Sequence, residues 1–276
     1  MKIALISDIH GNYEALKSVL ADIENGGAEK IICLGDTIGK GINSSRCIEL
    51  LKKYNVLTLA GNTDTRFLEN PEDFAHCKVE QGRIKFNQSL LTEEDKEFLR
   101  NLPFSEEFYL SGNLVRLFHA TPESCFDFVN DFDKSYKEKY KMFLGSDKTK
   151  TKDVADIVIY GHLHYPYMQK MFNKTLICCG SVGNSLCLLQ DKKYNSDPGE
   201  AIQAHYMVVD GDYNSKVRGN VSFEFKSVSY DIKKELESNT NNPEFDGYSH
   251  ELLYGTSYKD DIIRQVYRDQ GYEIDF

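Results

Sequence analysis

No stretch of this sequence approaches the roughly 18 consecutive apolar residues of a membrane-spanning helix. The first apolar run, Ile3-Ala4-Leu5-Ile6, is too short for the core of a secretory leader, and no cleavage pattern follows it. A cytoplasmic protein without a membrane partner is expected. Seven cysteines are present, but none form a C-x-x-C pair. Cys33, Cys178, Cys179 and Cys187 lie in or beside apolar runs and read as small buried hydrophobes in a reduced compartment. Adjacent Cys178 and Cys179 point to opposite faces of a strand and make a poor metal pair. No G-x-x-x-x-G-K-[ST] sequence occurs, which excludes a Walker-type phosphate loop. Basic residues are in deficit, 33 Lys and Arg against 43 Asp and Glu, for a net charge of −10. A broad nucleic-acid face needs clustered Lys and Arg, so extended nucleic acid is not an expected partner. Tryptophan is absent too, and that excludes nothing.

The remainder is a globular profile: 41% hydrophobic and 28% charged residues over 276 positions, enough for a large core. Length alone allows two domains, but no linker or internal repeat divides the chain. We expect one domain over 1–276, with 239–276 as a C-terminal helical extension. Strand and helix alternate at the start: strand 2–7, helix 13–23, strand 30–34, helix 44–53, strand 56–60. That rhythm predicts parallel strands with crossover helices, an α/β fold. Helices are expected over 85–91, 93–102 and 131–144, the second opened by a capping-box-like Thr92 and Asp95. Strands 107–110 and 114–118 flank Ser111-Gly112-Asn113 as a hairpin. Further strands are expected at 156–160, 167–172, 175–179, 204–209 and 221–229, then helices at 231–238, 245–254 and 259–267. The stretches 145–153, 191–199 and 239–243 read as polar loops.

Polar residues recur where these apolar runs stop: Asp8-Ile9-His10, Gly35-Asp36, Gly61-Asn62-Thr63-Asp64, His119, and Gly161-His162-Leu163-His164. In open α/β sheets, ligands sit beyond the carboxyl ends of the strands. Carboxylates, an amide and imidazoles together suit divalent transition metals such as Mn, Fe or Zn. The set is too rich for one ion and about right for two. Asp36 is the candidate bridge, because an anionic carboxylate can touch both ions. Asp8 and His10 sit in one turn and can share an ion, and His162 and His164 can project from one loop toward different ions. Asn62 adds a neutral oxygen, and His119 completes the second site. Two ions about 3.5–4 Å apart can hold a hydroxide between them and clamp phosphoryl oxygens for in-line attack. Each motif alone is weak, since Asp-x-His, Gly-Asp and Gly-His-x-His also occur as ordinary surface turns. Their joint order at strand ends carries the metal reading. His76, His205 and His250 lack such company and read as surface or packing residues.

The ordered series resembles the signature of the calcineurin-like metallophosphoesterases, and Asp8-Ile9-His10-Gly11-Asn12 with Gly180-Ser181-Val182-Gly183 resembles their small bacterial and archaeal phosphodiesterase branch. The resemblance implies a four-layer α/β/β/α sandwich with two mixed β-sheets and a dinuclear site. It implies that Asp8, His10, Asp36 and His164 bind one ion and that Asp36, Asn62, His119 and His162 bind the other. Manganese comes first among Mn, Fe, Zn and Ni. Asp36, Asn62 and His119 would be catalytic, and Asn12 and Asn62, with Thr63 beside them, would lie near the substrate phosphate. Arg66 follows the third motif closely and reads either as a bidentate phosphate contact or as a surface residue of the next helix. Thr63 stands where many relatives carry a His that protonates the leaving group, and a threonine is a poor proton source at neutral pH. The expected activity is hydrolysis of phosphodiester or phosphomonoester bonds in small molecules or nucleotides by a metal-bridged hydroxide, with aryl esters, diesters or anhydrides favoured over alkyl monoesters. A non-catalytic scaffold for protein contacts, or a nuclease, is the competing reading. A homo-oligomer is compatible with the sequence. Lys40, between Gly39 and Gly41, is expected as a solvated loop residue.

Overall fold

Alternation along β1 (Lys2–Ile6) decides the layering. Ile3 and Leu5 join one buried cluster, Ala4 and Ile6 another, as successive strand residues must point to opposite faces. The first cluster lies between two sheets. The second lies between one sheet and the helices α1 (Tyr13–Gly26) and α2 (Ser44–Lys53). The protein is described here by a computed structural model covering residues 1–75, 77–127, 135–186 and 203–255.

The first sheet adds β2 (Lys30–Cys33), β3 (Leu57–Thr58), β9 (Ala204–Asp210) and β10 (Ser222–Val228), in the order β10-β9-β1-β2-β3. Within it β1, β2 and β3 run parallel, whereas β9 and β10 are antiparallel. The second sheet holds β4 (Ser105–Leu110), β5 (Asn113–Phe118), β6 (Ile157–Tyr160), β7 (Pro166–Met171) and β8 (Lys174–Cys179), in the order β4-β5-β6-β8-β7. Its centre, β5-β6-β8, is parallel, and its two edges are antiparallel hairpin arms. Val115, Leu117, Ile157, Ile159 and Ile177 meet Ile3, Leu5, Ile32 and Leu34 across the interface. Leu114, Phe118 and Val158 face outward under Met142 and Phe143. The result is a four-layer α/β/β/α sandwich with two mixed sheets. No helix among the described residues is long and apolar enough to cross a membrane.

The remaining elements are α3 (Asn62–Arg66), α4 (Pro71–Phe74), α5 (Lys78–Ser89), α6 (Glu93–Arg100), α7 (Tyr136–Tyr140) with a 3-10 turn at Lys141–Phe143, α8 (Ile232–Ser238) and α9 (Phe245–Tyr254). The helix expected at 85–91 begins at Lys78, and only Ile84 and Asn87 of it are buried, so its apolar signal was thin. Of the helix expected over 131–144, the described residues hold α7 and the 3-10 turn after it, and Ser135 caps α7 by accepting from Glu138 N. Residues 128–134, 187–202 and 256–276 lie outside the described residues, as does position 76, so helix 259–267, loop 191–199, Cys187 and His76 are not among them. The other six cysteines are buried, and none of them forms a disulfide among the described residues.

Candidate metal centre

The parallel strands of both sheets end at one rim. Asp8 follows β1, Asp36 follows β2, Asn62 opens α3 after β3, His119 follows β5, and His162 and His164 follow β6. The loops are stitched together by their backbones: Asp8 N–H donates to Gly35 O and His10 N–H to Asp36 O, each at 3.0 Å. Glycine precedes three of the ligands, and two positions show why. A Cβ on Gly61 would fall 2.2 Å from the backbone N and from Oδ1 of Asp36, and one on Gly161 would fall 2.6 Å from Asp8 Oδ2. Only glycine lets adjacent loops approach so closely.

Asp8, His10, Asp36, His162 and His164 all adopt left-handed backbone conformations, with φ between 51° and 67°. For non-glycine residues each costs about 1–2 kcal/mol. Strain concentrated in this way marks a functional site held by its surroundings.

The donor atoms fall into two groups, Asp8 with His10 and His164, and Asp36 with His119 and His162, each within 4.8 Å of one another. In the first, His10 Nε2 and His164 Nε2 are 3.0 Å apart, and His164 Nε2 is 3.2 Å from Asp8 Oδ1. In the second, His119 Nε2 is 3.2 Å from His162 Nδ1 and 2.9 Å from Asn62 Oδ1. Asp36 stands between them, its Oδ2 3.6 Å from His10 Nε2 and its Oδ1 3.5 Å from His119 Nε2.

The outer hydrogen bonds fix the tautomers. His119 Nδ1–H donates to Leu34 O at 2.9 Å, His164 Nδ1–H to Asn184 O at 2.7 Å, and His10 Nδ1–H to Ile38 O at 3.3 Å. A carbonyl only accepts, so each of these rings turns its Nε2 lone pair inward. Asp8 Oδ2 accepts from His162 N–H at 2.9 Å, but Asp8 Oδ1 is buried with no hydrogen-bond donor. The Asn62 amide oxygen likewise faces imidazole nitrogens; turned over, the amide would donate to His162 Nδ1 and His119 Nε2, both at 2.9 Å. Lone pairs converging on lone pairs, with an orphaned carboxylate oxygen among them, fit divalent cations.

Charge follows the same geometry. Burial opposes ionisation of Asp8, yet the electrostatic pull of the surrounding imidazoles, His164 first and then His119 and His10, holds that carboxyl well below the usual range. Burial pushes Asp36 up, with His119 opposing and the Asp8 carboxylate reinforcing. Burial also works against a charge on His119, but Asp36 and Asp8 outweigh it and raise its pKa. His162 is pushed down to about 3 by burial and by His119. A proton on His119 and a cation thus compete for one place, beside Asn62 Oδ1.

Of the other expected contacts, Asn12 is fully buried and its amide is committed: Oδ1 caps α1 by accepting from Ala15 N at 3.0 Å, and Nδ2 donates to Gly183 O at 2.9 Å. Thr63 Oγ1–H donates to Ile38 O at 2.8 Å and its N–H to Asp36 Oδ1 at 2.8 Å. Arg66 ends α3, its guanidinium 3.7 Å from Glu80 and 5.6 and 5.9 Å from the ring centres of Phe74 and Phe126. Lys40 is no solvated loop residue: it donates to Glu251 Oε2 at 2.7 Å and to Asn184 Oδ1 at 2.8 Å. The His250 ring lies tilted against Tyr254 and His205 is partly buried, and neither belongs to a donor group. A 730 Å³ groove lined by Leu20, Tyr54, Leu57 and Phe98 contains none of the donors.

Three residues behind the donors were not singled out by the sequence. Asn184 backs His164, and only its place directly after Gly180-Ser181-Val182-Gly183 hinted at it. Glu251 arrives from α9 with no local signal. Asp64 lay inside a recognised motif without a role. Its carboxylate accepts from Thr37 N–H and Gly61 N–H, each at 2.9 Å, tying the Asp36 loop to the Asn62 loop. Burial and the neighbouring Asp36 push Asp64 up to about 7.

A family profile described as the calcineurin-like phosphoesterase superfamily domain matches residues 1–194. An uncharacterized protein of Methanocaldococcus jannaschii is 31% identical over 235 residues, covering 85% of this chain and 90% of that protein. Among solved structures, a metallophosphoesterase from Sphaerobacter thermophilus shares the fold with a TM-score of 0.66 at 19% identity, covering 93% of this chain and 100% of that one. A hypothetical protein from Pyrococcus horikoshii does so with a TM-score of 0.71 at 19% identity, covering 93% and 99%.

Proposed function

This chain belongs to the calcineurin-like phosphoesterase superfamily, and from that premise we propose that it is a cytoplasmic phosphoesterase of small phosphate esters or nucleotides. Its donors take two divalent cations, manganese first, with Fe, Zn or Ni as alternatives. The observation that carries the reading is the position of Asp36, one carboxylate oxygen toward each donor group at 3.6 and 3.5 Å. Asp8, His10 and His164 serve one ion and Asn62, His119 and His162 the other, with Asp36 shared. Bound there, two divalent cations supply a water of lowered pKa and positive charge for the phosphoryl oxygens. They also reverse the local sign in a protein whose net charge is −10.

The chain's own residues do the rest. The Asp36 carboxylate balances charge at both subsites and is itself oriented by Thr63 N–H. His119 and Asn62 form the wall beside which the reacting phosphoryl group is oriented, and their fixed donors and acceptors cost no reorganisation during reaction. Arg66 extends a guanidinium that can grip a phosphate in bidentate fashion, close enough to depress the pKa of His162. Phe126 is partly exposed beside it and gives an aryl or base leaving group a ring to rest on. Thr63 Oγ1 spends its proton on Ile38 O, so no side chain at that position protonates a leaving alkoxide. Leaving groups of low pKa are therefore the substrates of choice. The catalytic unit is one domain over 1–276, with residues 239–255 packed on its rim.

The test is a panel of phosphomonoesters, diesters and dinucleotides, assayed with Mn, Ni, Zn and Mg after chelation. The expected result is turnover only with added metal, and rates on aryl esters and diesters about a hundredfold or more above those on alkyl monoesters, the lower end of what an absent general acid costs. Equal rates on both kinds of ester contradict the role given to Thr63, and no turnover on any member contradicts the function.

A further inference from the structure

The family profile ends at residue 194, yet a helix far beyond it touches the donor network. Glu251, on α9, accepts through Oε2 from Asn184 Nδ2 at 2.9 Å and from Lys40 Nζ at 2.7 Å. Lys40 Nζ also donates to Asn184 Oδ1 at 2.8 Å, and His164 Nδ1–H lies 2.9 Å from that same oxygen. Asn184 is fully buried. An asparagine amide can present its oxygen or its NH2 to a neighbour, and the two faces have opposite consequences for an imidazole. Here the choice is forced from behind. A carboxylate accepts only, so it takes the NH2; an ammonium donates only, so it takes the oxygen. The oxygen thereby faces His164 and joins the Asn184 backbone carbonyl, 2.7 Å away, in holding the proton on Nδ1 and the Nε2 lone pair toward Asp8 and His10.

We propose that Glu251 is a positioning residue for the subsite of Asp8, His10 and His164, acting through the Asn184 amide. The proposal rests on the cation reading of the preceding section. It adds that, among the described residues, one of the two cation subsites is completed from α9, while the subsite of Asn62, His119 and His162 is not. Supporting contacts hold α9 and the loop before it in place: Asn242 Nδ2 donates to Lys40 O at 2.6 Å, and Ile42 N–H donates to Asn239 Oδ1 at 2.8 Å. Burial disfavours a charge on Glu251, but Lys40 holds its carboxyl below the usual range, so the acceptor stays ionised at neutral pH.

The experiment titrates the chelator-stripped full chain with Mn(II), following free ion by electron paramagnetic resonance and thermal unfolding of the stripped protein in parallel. The wild type is expected to bind two ions. Glu251→Leu, which fills the space without accepting, weakens one of the two about tenfold and leaves the other unchanged, the usual scale for partners behind a ligand. Glu251→Ala behaves the same, and Glu251→Gln, which keeps an acceptor for Asn184 Nδ2, recovers most of the loss. Tyr248→Phe removes a different α9 hydrogen bond, to Glu235, and leaves both affinities intact. Combining Glu251→Leu with Asn184→Ala costs no more than Asn184→Ala alone. Wild-type affinities in both Glu251→Leu and Glu251→Ala, additive losses in the double variant, or an equal loss in Tyr248→Phe overturn the proposal alone. A wild-type chain that takes up no Mn(II) overturns the cation reading with it.

Discussion

Asp8, His10 and His164 are buried throughout, and the last of them leans on a side-chain network that reaches α9. Asp36, His119 and His162 include a partly exposed ring, lean on the backbone carbonyl of Leu34, and look toward Arg66 and Phe126. Both groups draw carboxylate and imidazole donors from left-handed turns at strand ends. The difference between them lies in what stands behind and in front. The first group is closed by protein and suits an ion that stays. The second opens to solvent and suits the ion that meets substrate.

Breaking the bridge removes the comparison altogether, and so has the largest expected effect. Asp36→Asn keeps the shape but loses the charge shared by both groups, and kcat on an aryl phosphodiester should fall by about a thousandfold or more. A variant with full activity contradicts the bridging role. Next in size is the contrast of His164→Asn with His162→Asn. Each should reduce bound manganese from two ions to one, with about a hundredfold lower turnover. Losing the open-side ion through His162→Asn should leave a tightly held ion, measurable by metal analysis after dialysis, whereas His164→Asn should leave one that dialyses away. Equal retention in the two variants removes the asymmetry.

A third change sharpens the boundary between site and scaffold. Arg116 is fully buried in the second sheet, pairs with Glu107 at 2.6 Å, and donates to Phe143 O at 2.9 Å and Asp153 O at 2.7 Å. Arg116→Met strands Glu107 and should cost about 3–5 kcal/mol in urea unfolding, with both manganese affinities retained in the folded fraction. The smallest effect concerns two glutamates of the C-terminal segment. Burial raises Glu235 above its ordinary 4.5. The folded chain then holds that proton to higher pH than the unfolded chain, so the contribution is full below pH 4.5 and is lost as pH rises through the raised value. Glu251 is lowered, so its contribution is full above pH 4.5 and is lost on acidification through the lowered value. Unfolding at pH 4 and pH 8 should therefore show Glu235→Gln gaining on the wild type as pH rises and Glu251→Gln losing. Parallel pH profiles for both variants contradict these signs.

Much of the donor set was legible because each member stands where an apolar run ends, a position that backbone alternation and strand parallelism make visible in one dimension. The glycines beside them were legible for the same reason, and the structure supplies their cause in colliding Cβ positions. What stood behind the donors was not legible. Lys40, Asn184 and Glu251 meet only after residues far apart in sequence are brought together. Lys40 and Glu251 each look like a solvated charge on its own. Arg116 and Glu107 likewise resemble an exposed hairpin pair, and only the covering loop at 143–153 buries them. Asn12 reads as a substrate contact within its motif, and its geometry makes it a helix cap.

The account depends on two cations lying side by side across Asp36, and anomalous scattering from crystals grown in manganese tests that most directly. The expected map has two peaks, one enclosed by Asp8, His10 and His164 and one by Asn62, His119 and His162, both within bonding distance of the Asp36 carboxylate. A single peak, or none with the imidazoles turned away from one another, contradicts it.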